Sequence, residues 1–185
     1  MIDDTLFEAE EKMDKAVTVA QEDFSNIRTG RVTPAVFSKI TAEYYGAQTP
    51  LNQLASFHIP EPRMITVQPF DKGSAGAIEK AIRNSDLGVN PTSDGIVIRV
   101  VFPELTEERR REYVKTARSK AEDSRISIRN IRRHAKDALD KMVKNAEAGE
   151  DEVHRAEGEL QKLTDSYIAK IDALLKHKES ELLEI

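Results

Sequence analysis

Seven basic residues in the second half of the chain stand at spacings that place them on one side of a helix. Arg111, Lys115, Arg118, Arg125, Arg129, Arg132 and Lys136 are separated by 4, 3, 7, 4, 3 and 4 positions. Side chains three and four apart share a helix face, so the seven form a stripe, with Arg133 on the next row. Arginine outnumbers lysine in it. A guanidinium presents a planar fork that fits phosphate oxygens and base edges. The chemistry on offer is the holding of a polyanion. No aromatic residue interleaves with the stripe. That disfavours stacking on single-stranded bases and favours structured RNA met through phosphates and grooves. A second reading stays open at this point: a bundle helix needs a charged outer face, and acidic neighbours can pair with it.

Covalent chemistry is poorly represented. The chain has no G-x-x-x-x-G-K-[ST] loop, no G-x-G-x-x-G and no H-E-x-x-H. Its histidines, His58, His134, His154 and His177, are scattered. His154 follows Glu150 by 4 positions, a spacing that reads as an exposed helix pair. Asp71 to Gly76 faintly resembles a phosphate loop, but Ser74 reads more simply as a helix N-cap. Zero cysteines exclude disulfides, thiolate nucleophiles and Cys-ligated zinc. No catalytic residue, metal ligand set or cofactor is expected, and the chain does not read as an enzyme.

The net charge of -5 across 185 residues, taken as an average, argues against a nucleic-acid partner. The average hides a strong asymmetry. Residues 105–145 carry 13 basic and 7 acidic side chains, whereas residues 1–30 carry 3 and 8 and residues 146–185 carry 5 and 11. One basic segment lies between two acidic ones, and such asymmetry reports on partners better than the total. Composition also limits the fold. Charged residues make up 33% and aromatics 5%, which suits helices with wide solvated faces rather than an aromatic-rich sandwich.

The elements that must position the stripe follow from periodicity. Ile2, Leu6, Ala9, Met13, Ala16, Ala20, Phe24 and Ile27 predict a first helix, ended by Gly30 and Pro34. Val114, Ala117, Ala121, Ile128, Ile131, Ala135, Ala138 and Met142 form the seam of a second, with Thr106 as N-cap and Gly149 as the break. Val153, Ala156, Leu160, Leu163, Tyr167, Ile171, Leu174 and Leu182 form a third seam, behind the acidic start Glu150-Asp151-Glu152. Three such stripes bury one another in a three-helix bundle, and because they can do so within one chain a monomer is expected.

The middle differs. Residues 31–104 hold all 7 prolines and five of the 8 glycines. They contain β-prone runs at 40–45, 64–67 and 96–102, a short helical stretch at 74–83 and a turn signal at 90–95. The expected organisation is α+β. A discontinuous bundle of residues 1–30 and 105–185 carries a β/α/β domain, residues 31–104, inserted between its first two helices. The crossing strands near 29–31 and 102–105 hold Thr29, Gly30, Arg31, Pro103 and Glu104. They read as a two-stranded hinge or, alternatively, as a fixed turn pair. No apolar run approaches the roughly 20 residues of a membrane span, and the acidic N-terminus is unlike a signal peptide. A cytoplasmic protein without a membrane partner is expected.

Several segments, in order, carry a family resemblance. They are Ile27-Arg28-Thr29-Gly30-Arg31, Tyr44-Tyr45-Gly46, Thr49-Pro50-Leu51, Gln53-Leu54-Ala55, Ser85-Asp86-Leu87-Gly88, Asn90-Pro91, Leu105-Thr106-Glu107-Glu108-Arg109-Arg110 and Arg129-Asn130-Ile131-Arg132-Arg133. With these the chain resembles the bacterial ribosome recycling factor family along essentially its whole length. The resemblance implies an L-shaped, tRNA-like molecule with an antiparallel three-helix bundle as one arm. It implies binding to the post-termination ribosome and, with elongation factor G and GTP, separation of the subunits and release of mRNA and tRNA. It further implies contact of the basic helix with large-subunit ribosomal RNA. Arg132 matches the family's foremost basic position, and Arg118, Arg125, Arg129, Arg133 and Arg28 complete the expected RNA-binding set. The alternative kept beside it is a helical RNA-binding chaperone or a scaffold protein without a GTPase partner.

Overall fold

The computed structural model describes residues 1–184. The long helices are α1 (Ile2–Ser25), α4 (Glu107–Lys144) and α5 (Glu150–Leu183). Between α1 and α4 come β1 (Thr41–Tyr44), β2 (Ala47–Pro50), α2 (Leu51–Leu54), β3 (Ala55–Glu61), β4 (Met64–Pro69), α3 (Ala75–Arg83), β5 (Thr92–Ser93) and β6 (Ile98–Val101). Packing divides the chain into two units. One is Met1–Phe24 with Val114–Ser180, and the other is Ser25–Tyr113 with the described residues from Glu181 on.

The first unit is a helical bundle. Ala9, Met13, Ala20 and Phe24 of α1 are buried, as are Ala117, Ala121, Ile128, Ala135, Leu139 and Met142 of α4. From α5 come Val153, Ala156, Leu160, Tyr167 and Ile171. The seams expected from periodicity are largely these residues. One correction concerns Ala138, which is only half-buried, while the unlisted neighbour Leu139 is fully enclosed. Leu139 follows Ile128 by 11 positions, just over three full turns, so it returns to the same face. Thr164 is also enclosed in this unit, and its hydroxyl donates to the Leu160 carbonyl at 2.8 Å, so its polarity is satisfied locally. The start of α4 is capped as expected, Thr106 Oγ1 accepting from the Arg109 amide at 3.1 Å.

The second unit is built on a four-stranded antiparallel sheet in the order β3-β4-β6-β5. A separate hairpin, β1-β2, turns through Tyr45 and Gly46 at φ of 48° and 80°. Two positive φ values in a two-residue loop match the twist of a hairpin. Ile65, Val67, Ile98, Val100 and Phe102 meet Phe37, Leu51, Ile78 and Ile82 in one core. Of the expected runs, 40–45 and 96–102 contain β1 and β6 and 64–67 forms the first part of β4, whereas β2, β3 and the two-residue β5 inside the 90–95 turn were not foreseen. Ser74 also departs from expectation, because it makes no side-chain cap to α3. Its hydroxyl donates back to the Asp71 carbonyl, and Asp71 Oδ1 accepts from the Gly73 amide instead, so the cap belongs to the preceding 3-10 turn.

Leu139→Ala is expected to destabilise the bundle by about 2–5 kcal/mol, the usual cost of emptying a closed leucine site. Chemical unfolding followed by helical circular dichroism measures it.

Candidate nucleic-acid interface

Helix α4 is 38 residues long, about 57 Å at 1.5 Å per residue. Its basic flank lies beside α5, and α5 supplies carboxylates to much of it. Arg118 Nε donates to Glu179 Oε1 at 2.7 Å. Arg125 Nε donates to Asp172 Oδ1 at 2.8 Å, and its other arm reaches Glu122 at 3.0 Å. Lys136 is bonded to Asp140 at 3.2 Å and to Glu157 at 3.3 Å. Arg129 shares Glu122 at 3.2 Å. Nearer the N-terminus of α4, Arg111 pairs with Glu107 at 2.5 Å.

Two arginines stand apart. Arg132 donates only to the neutral Gln161 Oε1, at 3.5 Å. Arg133, exposed, donates to Asn130 Oδ1 at 2.6 Å. Among the described residues neither carries an ion pair, and Lys115 carries none either. The flank therefore has two regimes. Arg118, Arg125 and Lys136 are tied to carboxylates, whereas Arg132 and Arg133 meet only neutral acceptors, with half-exposed Arg129 beside them.

Protonation follows the same division. Hydrogen bonds from Arg125 and then Arg129 hold the Glu122 carboxyl below its ordinary value. Burial works against the Arg125 charge, yet Asp172 and Glu122 outweigh it and raise its pKa. Hydrogen bonds that Lys136 donates to Asp140 and Glu157 raise its pKa.

Arg28 belongs to the other unit. Its guanidinium lies 5.4 Å from the centre of the Phe102 ring and donates to the Pro103 carbonyl. Burial, opposed by Tyr113, lowers its pKa. Thr29, buried, donates its hydroxyl to the Arg31 carbonyl at 2.8 Å. Thr29 and Arg31, with Gly30, Pro62, Arg63, Glu104 and Glu184, border a cleft of about 520 Å³. The signal that could have separated free from paired arginines was the opposing α5 sequence, since Glu179 and Asp172 face Arg118 and Arg125 in antiparallel order.

The chain thus joins a helical bundle with a partly unpaired arginine flank to a small sheet unit. Comparison with known proteins names the kind. The model of the family described as "Ribosome recycling factor" matches residues 20–183. The "Ribosome-recycling factor" of Thermobifida fusca (strain YX) is 69% identical over 185 residues, covering all of both chains. That of Streptomyces coelicolor is 66% identical over the same complete span of both. A solution structure of the ribosome recycling factor matches with a TM-score of 0.81 at 42% identity, covering 100% of this chain and 98% of that one. A second structure matches with a TM-score of 0.70 at 45% identity over the whole of both chains. It describes the T. thermophilus ribosome recycling factor and the E. coli elongation factor G bound to the E. coli post-termination complex. This chain belongs to the ribosome recycling factor family, whose members are translation factors without catalytic activity of their own.

Because the Glu122 pKa is depressed in the fold, its pairing stabilises the protein above the ordinary glutamate value of 4.5 and is lost as pH falls through the lower folded value. Glu122→Gln is expected to flatten the acid limb of the stability profile between the ordinary value and the lower folded one. Thermal melts across pH 2 to 6, an interval of about four units around the carboxylate range, check the slope.

Proposed function

We infer that this chain recycles ribosomes. After termination it binds the ribosome and, with elongation factor G and GTP, separates the subunits and promotes release of mRNA and tRNA. The observation that carries the reading is full-length relatedness to ribosome-recycling factors at 69% identity. It acts as a monomer in the cytoplasm, and no helix among the described residues is long and apolar enough to cross a membrane.

The RNA anchor is the group Arg129, Arg132 and Arg133, facing large-subunit ribosomal RNA. Arg118 and Arg125 brace α4 against α5, and their free hydrogen-bonding capacity is secondary. Support comes from the ion pairs, which occupy Arg118 and Arg125 and leave Arg132 and Arg133 without a carboxylate. GTP hydrolysis on the partner supplies the drive. The bundle supplies a stiff lever, since side chains locked in a packed core transmit strain rather than absorb it. The segments around Thr29, Gly30, Arg31, Pro103 and Glu104 serve as the hinge that lets the inserted domain be pushed while the bundle stays engaged.

Arg132→Ala is expected to weaken ribosome binding roughly tenfold, the loss of one charge-assisted hydrogen bond of about 1.5 kcal/mol, and to lower the salt slope by about 1. Arg118→Ala should change affinity less than about twofold, because it removes a cation already neutralised on the surface. Light-scattering titrations of ribosomes at several salt concentrations measure both. Subunit splitting that requires this protein, elongation factor G and GTP together supports the reading. Splitting or RNA remodelling without the GTPase would favour the RNA chaperone instead.

A further inference from the structure

The two crossing segments meet at one arginine. Phe102 is fully buried, with its ring 6.3 Å from Phe37, which in turn stacks on Phe57 at 5.4 Å. The Arg28 guanidinium covers this ring from 5.4 Å and donates to the carbonyl of the next residue, Pro103. Arg28 and Pro103 are 75 positions apart in the chain. Each segment is also fastened to the turn between β3 and β4. The Val32 amide donates to the Pro62 carbonyl at 2.9 Å, and the Phe102 amide donates to the Arg63 carbonyl at 2.8 Å. Among the described residues the buried Arg28 Nε has no hydrogen-bond partner, so the polar contact of this side chain is made by its planar end. A planar cation can stack on a ring and donate in its own plane at once, which an ammonium cannot do.

We propose that Arg28 is a positioning residue that fastens the 28–32 and 102–103 segments into one junction on the β3-β4 turn, rather than a contact to RNA. The two segments then bend together and not singly. The activity readout rests on the ribosome-recycling reading, whereas the junction itself is measured on the free protein.

Arg28→Lys keeps the charge and loses the planar fork, and Arg28→Ala loses both. Both are expected to speed amide exchange at Val32 and Phe102 about tenfold, to leave ribosome affinity and its salt slope within about twofold of the parent, and to slow splitting by bound factor. Phe102→Leu retains Arg28 and an apolar side chain in the core while removing the ring face, and should reproduce the faster exchange. Circular dichroism confirms that each variant folds. Unchanged exchange in Arg28→Lys or in Phe102→Leu overturns the proposal. So does a loss of salt slope in Arg28→Ala that Arg28→Lys restores, which would make Arg28 an RNA contact.

Discussion

An arginine on α4 that meets a carboxylate on α5 is held straight, and the same contact takes it out of circulation. Arg118 with Glu179 and Arg125 with Asp172 stand in antiparallel order along the two helices. These pairs let a helix with a large excess of positive charge pack inside a chain whose other long helices are acidic. Where α5 offers Gln161 instead of a carboxylate, the opposing arginine, Arg132, has only a neutral and distant acceptor. The α5 sequence thus determines which cations on α4 remain available.

Much of the fold was legible because a helix with one buried face must repeat its apolar residues at a fixed interval. The three long helices followed from that period, and the cap at Thr106 and the break near Gly149 from residue type. Where the reading slipped, the reasons are local. Ala138 and Leu139 are adjacent in a run where either fits a plausible seam, and only packing selects Leu139. Strand β3 carries Pro60 and exposed His58 and Ile59, so its alternation is obscured, and its pairing with β4 supplies what its own residues do not declare.

The site was legible as a surface and illegible as a list. Spacing placed Arg118, Arg125, Arg129 and Arg132 on one flank, and the structure keeps them beside one another. Spacing cannot say which of them are neutralised across the helices, because the α5 carboxylates that pair with Arg118 and Arg125 lie 61 and 47 positions away. Arg28 shows the limit from the other side. A motif that reads as basic contains a side chain stacked over Phe102, and nothing nearby in sequence announces a ring 74 positions downstream.

The β1-β2 hairpin has a further consequence. It forms its own two-stranded sheet, hydrogen-bonded to neither edge of the larger one. An isolated hairpin is marginal in water. This one leans on α3 and on a single clasp from the Tyr44 hydroxyl to Asp71 at 3.3 Å, while Tyr45 projects from its turn 88% exposed. Its folding is therefore borrowed from its neighbours. On the scale of local opening free energies it stands below the buried β4 and β6, and its amides should exchange before theirs.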